Sequence, residues 1–352
     1  MRELKRAVLI LLIATLYVKF VVQIVLDESN LLLDLLLYML LIAGLVDRKF
    51  RPEFFVVVLF AVISVLNPAA RNIFLIFASV YALREFSIRE LASINLCMQT
   101  LVFGATALML WAGITHSEMF EQSLLDQRER WDFGYGNPNT FALFVYSIMV
   151  NAYVYFARQY GRMLSLLLFL TGIGVYCYTK SRTFLVATLV LLLVHWCVRN
   201  RVVRSVILKF KGILYLIPIV LMGCILYMSR YSGQFPLLNL VFSGRLELYS
   251  VFLGSIGKTA YLFGTPLVNE ETIDSSYLHI LFEGGVLAFV IFYVLYVVTV
   301  RRMNRSTIGV LPVLAGFLVF GLSESLFTFV LIFGNMIIWS ILYDSYLNRS
   351  HP

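Results

Sequence analysis

Charge is scarce in this chain. Of its 352 residues only 14% are Asp, Glu, Lys or Arg, while 61% are hydrophobic and the mean hydropathy is +0.87. Soluble domains carry about 45–50% apolar residues, so that class is excluded. Cysteine and histidine are rare too, four of each. Cys97, Cys177, Cys197 and Cys224 all fall inside apolar runs, which argues against a disulfide framework and for a packing role. No His/Cys cluster occurs, so neither a bound metal nor another cofactor is expected.

Long apolar runs are what the chain has in abundance. About 20 such residues cross a bilayer as a helix, and helices satisfy the backbone polar groups that lipid leaves bare. Twelve candidate spans are expected, at 7–26, 31–46, 54–66, 72–83, 91–114, 138–157, 163–179, 183–198, 213–229, 278–300, 308–322 and 326–344. The fold class is therefore an all-α polytopic membrane protein, with residues 1–352 as one integral membrane domain. The opening MRELKR and the run to Leu26 read as an uncleaved signal anchor, because no small-residue cleavage site follows. Spans 54–66 and 72–83 are short, as oddly tilted, re-entrant or internally packed helices are.

Lys and Arg in the connections set the orientation. With both termini in the cytoplasm, nineteen of the 28 lie inside, eight lie outside, and Lys19 falls within the first span. This asymmetry accounts for most of the net charge of +8 without any nucleic-acid partner. Two outer segments are long, 115–137 and 230–277, and long loops in compact architectures tend to be functional. In the second, Leu246, Tyr249, Phe252, Leu253 and Ile256 recur at helical spacing, with Arg245, Glu247 and Lys258 off the stripe. They read as an amphipathic helix lying on the outer membrane surface or against the bundle.

Arginine on the outer side needs a reason. Arg182, in the stretch YTKSRTFL, stands at an outward-facing helix start with Ser181 as its candidate N-cap. Free N–H groups, the helix dipole and a guanidinium together suit phosphate oxygens. In GYGNPNTF, Asn137 and Pro138 mark a second helix start, with Arg128 and Arg130 just upstream. In ETIDSSYLHILFEGG, Asp274 or a following serine is the candidate cap of a third. Lone cations such as Arg71, Arg230 and Lys19 read as headgroup anchors. His279 and Glu283 are four apart and so placed to pair, and the glycines after Glu283 mark a broken helix.

Four patches in order resemble the O-antigen and capsular polysaccharide polymerases (Wzy-type), relatives of the O-antigen ligases. They are RWDFGYGNPNTFA, TKSRTFL, FSGRLELY, and LFGTPL followed by IDSSYLHILFEGG, covering roughly residues 120–300. The resemblance implies a GT-C-like architecture and a metal-independent glycosyl transfer at the outer face of a bacterial cytoplasmic membrane. A growing glycan leaves undecaprenyl pyrophosphate and joins a hydroxyl of another lipid-linked repeat unit. Implied partners are that donor and acceptor, membrane lipid, a chain-length regulator and a flippase.

Arg182 and Arg245 match the family's pyrophosphate-binding arginines, and Asp274 stands where ligase relatives often carry histidine, which favours a polymerase. Charge grows on the departing pyrophosphate, where preorganised cations lower the barrier, and a carboxylate takes the acceptor's proton. Asp274 is the expected base, ahead of Glu247, Glu283 and Glu324. Tyr277 is expected to stack on the acceptor sugar. Arg128, Arg130, Asn137, Asn139, His279 and Glu247 complete the expected substrate contacts. The alternatives are a ligase using the same donor, and a flippase or other transporter. Transporters place ionisable groups near the membrane midplane, whereas these arginines gather at one face.

Overall fold

The computed structural model describes residues 2–46, 53–121, 129–242, 244–255, 260–265, 273–327 and 334–346. In chain order the helices are α1 (Arg2–Phe20), α2 (Leu31–Leu45), α3 (Phe54–Leu66), α4 (Arg71–Leu83) and α5 (Ile88–Trp111). A two-stranded antiparallel ribbon follows, β1 (Met119–Glu121) and β2 (Glu129–Trp131), with Met119 opposite Trp131. Then come α6 (Pro138–Thr179), α7 (Arg182–Arg199), α8 (Arg201–Lys209), α9 (Ile217–Arg230) and α10 (Pro236–Val241). The last are α11 (Arg245–Ser255), α12 (Ala260–Phe263), α13 (Ser276–Arg302), α14 (Leu311–Phe320) and α15 (Gly334–Tyr346).

Residue spacing explains how these helices assemble. Leu9, Leu12, Ile13, Leu16 and Phe20 of α1 recur every three or four residues and are buried, while Leu11 and Val18 on the other side stay half exposed. α5 begins at a capping box, in which Ser87 accepts the Glu90 N–H and the Glu90 carboxylate accepts the Ser87 N–H. Farther along, Gln99 donates to Ser147 of α6, and Asn151 of α6 donates back to Gln99 at 3.3 Å. Buried side-chain bonds of this kind join helices that share no hydrophobic driving force in lipid.

Among the described residues six stretches are long and apolar enough to cross a membrane: Glu3–Val25, Ile88–Trp111, Pro138–Thr179, Arg182–Arg199, Lys211–Arg230 and Ser276–Arg302. Leu32, Val65, Leu66 and Trp111 lie widely exposed on the outside, where water would be a poor solvent for them. The chain is a helical membrane protein, with the β1–β2 ribbon inside the segment expected to be loop. Twelve full crossings are more than these helices establish, since α2, α3, α4 and α14 have only 15, 13, 13 and 10 residues. In α4 every residue from Leu75 to Leu83 is buried, so this short helix is an internal packing element.

Two backbone breaks shape the bundle. A straight helix of 42 residues, the length of α6, would run about 63 Å. Yet Arg130 donates from Nε to the Thr179 carbonyl at 2.8 Å and from Nη2 to Asn139, so both ends of α6 meet. The helix folds back at Tyr160, whose φ of −121° and ψ of 27° are not helical, and its arms are the expected spans 138–157 and 163–179. In α13 the break is at Gly285, with φ 69° and ψ −175°, a conformation reserved for glycine. A Cβ there would lie 2.2 Å from the Leu262 carbonyl oxygen, because α12 passes directly over the gap. The Thr265 N–H bonds the Phe282 carbonyl at 2.7 Å, satisfying a group the interrupted helix leaves open.

Candidate functional site

Where α6 begins and ends and α7 starts, a cavity of about 210 Å³ opens. Its polar wall holds Arg130, Asn139, Lys180, Arg182, Arg245 and Glu324, with Val186, Phe242, Val319 and Leu322 as the apolar part.

Local sequence explains each placement. Buried Asp132 accepts from the N–H groups of Glu118 at 2.8 Å and Gly134 at 3.1 Å and from the Ser117 hydroxyl at 3.2 Å, fixing the turn that follows Arg130. Asn137 caps α6 by accepting the Asn139 N–H at 2.8 Å, and Pro138 fills the first helical position. At the far end Lys180 takes a left-handed conformation, φ 51°, which stops α6 and reverses the chain. Ser181 holds the N-cap position of α7, but its side chain makes no capping bond. Arg182 is then the first residue of α7. The hydroxyls of Thr183 and Ser323 bond each other, bringing the turn after α14, and with it Glu324, to the start of α7.

Arg245 arrives from α11. Leu246, Tyr249 and Phe252 form the buried face of that helix, which packs on α9; this is the packing form of the expected amphipathic helix. Ile256 and Lys258 lie outside the described residues. The Arg245 guanidinium spans two carboxylates, with Nε 2.8 Å from Asp274 Oδ2 and Nη1 3.2 Å from Glu324 Oε1. Nη1 also donates to the Ser323 carbonyl.

Burial sets the electrostatics. It pushes the Glu324 carboxyl up to about 7 against the pull of Arg245, with the Asp274 charge adding to the rise. Burial likewise raises Asp274, opposed by Arg245 and then His279. For Arg245 burial acts downward, but Glu324 and Asp274 outweigh it and hold the guanidinium protonated. Around one cation, buried Glu324 and half-buried Asp274 titrate as a coupled pair.

The structure gathers some of the expected residues and not others. Arg130, Asn139, Arg182 and Arg245 share the cavity. Asp274 caps no helix, since Ser275 occupies the N-cap of α13; it pairs with Arg245 instead of lining the wall. Asn137 spends its side chain on the α6 cap. Tyr277 is fully buried and donates to the Leu318 carbonyl at 2.9 Å, a core residue with no face open to a sugar. His279 bonds Glu283 at 2.9 Å, which also accepts from Asn72 at 3.3 Å, and neither lines the cavity. Glu247 is exposed and also off the wall. Arg128 lies outside the described residues. Lys19 ion-pairs with Asp34, and Arg71 rests 5.1 Å from the Tyr38 ring, so both have protein partners beyond the headgroup role expected of them.

Sequence reasoning gave Lys180 no role and ranked Glu324 low. The signal for Glu324 was present, as Ser323-Glu324-Ser325 interrupts two apolar runs. Comparison with family models, with characterised proteins and with solved structures gives no match. What the arrangement offers chemically is a cluster of three guanidiniums and an ammonium, of which Arg245 is already bridged to Asp274 and Glu324, beside a carboxyl raised to about 7.

Proposed function

We propose that this cavity holds the pyrophosphate of a lipid-linked glycan, and that the protein is a polysaccharide polymerase of the Wzy type. In this reading the chain crosses a bacterial cytoplasmic membrane about twelve times in a GT-C-like arrangement, with the cavity on the outer face. The observation that carries it is the meeting of Arg130, Arg182 and Arg245, from segments far apart in sequence, around one space beside Glu324. The acceptor hydroxyl oxygen attacks the anomeric carbon, and the bond from that carbon to the undecaprenyl pyrophosphate oxygen breaks. The hydroxyl proton passes to a carboxylate. Glu324, on the cavity wall, is better placed for this than Asp274, which we assign to holding Arg245 in position. The growing negative charge of the leaving group falls among the guanidiniums, each such group commonly lowering a barrier by about 2–4 kcal/mol.

The test uses the purified protein and lipid-linked repeat units alone. A ladder of products supports the polymerase, and transfer only to some other acceptor supports a ligase. Arg182→Lys keeps the charge but loses the bidentate fork, and we expect it to lower polymer yield by roughly tenfold or more. Polymer equal in amount and length to wild type rejects the assignment.

A further inference from the structure

At the other end of α7 lies a larger cavity, of about 360 Å³. Five arginines line it: Arg89 at the start of α5, Arg158 at the bend of α6, Arg199 at the end of α7, Arg204 in α8, and Arg305 between α13 and α14. No carboxylate lines this space, and among the described residues none of the five is ion-paired. The bias of basic residues toward one membrane face explains their side but not their convergence. Lys5 and Arg6, on the same side, pair with Glu85 and Glu90. Arg89 rests over the Tyr155 ring, and Arg158, Arg199 and Arg305 are partly screened by water. Five guanidiniums lining one space still repel one another, and an anion shared between them relieves that.

A buried histidine borders the same space. His195 is 4% exposed and lines the space. Its Nδ1 lies 2.8 Å from the Tyr153 hydroxyl, while Nε2, beside the Gly161 carbonyl, makes no hydrogen bond of ordinary geometry. With Tyr153 donating to Nδ1, the Nε2 hydrogen is left to the Gly161 carbonyl. Gly161 contributes by its small size. A Cβ there would stand 1.7 Å from Arg199 Nη1, so the glycine leaves room for that guanidinium at the cavity edge. The volume falls within the range of small-ligand pockets, about 300–1,000 Å³.

We infer that this cavity is a second anion site, on the face that the Lys and Arg distribution assigns to the cytoplasm, and that it takes a phosphate-bearing ligand. That chemistry is shared by the headgroup of an anionic phospholipid and by a soluble diphosphate. The inference stands apart from the role proposed for the Arg182 cavity.

The test is titration of the full-length chain in a neutral maltoside detergent with inorganic pyrophosphate, with dioctanoyl phosphatidylglycerol, and with dioctanoyl phosphatidylcholine as a neutral control. All samples carry Arg182→Gln, so that the other arginine cavity contributes less. We expect saturable binding of an anionic probe and not of the control. A variant combining Arg158→Gln, Arg204→Gln and Arg305→Gln is expected to weaken that binding by roughly tenfold or more. Arg305→Gln alone, in an exposed connection, is expected to weaken it about threefold. Combining Arg201→Gln, Lys209→Gln and Arg301→Gln, which removes equal charge outside the cavity, is expected to leave it within about twofold. Binding of phosphatidylglycerol alone identifies a lipid site, and binding of pyrophosphate a soluble anion; either supports the inference. Binding of neither anionic probe, or equal losses in the two triple variants, overturns it.

Discussion

Glu324 is the residue whose chemistry is easiest to read out. As the proposed base it must be deprotonated to accept a proton, so with its carboxyl raised to about 7 the turnover rate of the proposed reaction should climb with pH to a midpoint near 7 and then level off. In Glu324→Gln that limb should vanish along with most activity, and a pH–rate profile of both proteins decides it. The same group affects stability with a definite sign. Between 4.5 and about 7 the folded chain holds a proton that the unfolded chain has lost, so stability falls as pH rises through that window. The thermal midpoint of wild type should drop from pH 5 to pH 8, and Glu324→Gln should drop less. In the sequence Asp274 is the first choice of base, as a carboxylate near the boundary between loop and membrane within a patch that resembles the polymerases. Its partner Arg245 is 29 residues away along the chain, and only folding shows that both carboxylates meet this guanidinium while Glu324 alone of the two lines the cavity.

Helices were legible to the extent that their signals are local. Asn137-Pro138 capping α6 and the weakness at the glycines after Glu283 both depend on neighbours a few residues away, and both stand in the structure. The interior position of α4 was open in the sequence, because length and composition do not say which helices surround it. Tyr277 was misassigned for a related reason: its position near a motif says nothing of the Leu318 carbonyl that receives its hydroxyl. The break in α13 gives a prediction at this scale. Gly285→Ala puts a side chain into a glycine-only conformation and against the backbone of α12, which should cost about 3 kcal/mol or more. A thermal midpoint well below wild type in the same detergent is the expected result, and an unchanged midpoint rules out the strained packing.

Across the whole molecule, charge pattern and three-dimensional arrangement agree on sidedness. Arg158, Arg199, Arg204 and Arg305, all assigned inside by the Lys and Arg count, meet at one end, while Arg130, Arg182 and Arg245, all assigned outside, meet at the other. A single cysteine placed at Lys180 should therefore react with an impermeant maleimide added to intact cells, and one placed at Arg305 only after lysis; the four native cysteines are replaced first. Labelling of both from the same side contradicts the arrangement. Convergence itself was beyond the sequence, since it depends on the hairpin in α6 and the seating of α11. α7 joins the two ends with 18 residues, a rise of about 27 Å, slightly less than a hydrocarbon layer of ~30 Å. Such a mismatch makes the bilayer thin locally or draws the helix rim below the surrounding lipid. In the proposed reaction, a mouth beside Arg182 set low in its leaflet would let a diphosphate still anchored by its polyprenyl tail reach the guanidiniums without hauling hydrocarbon into water.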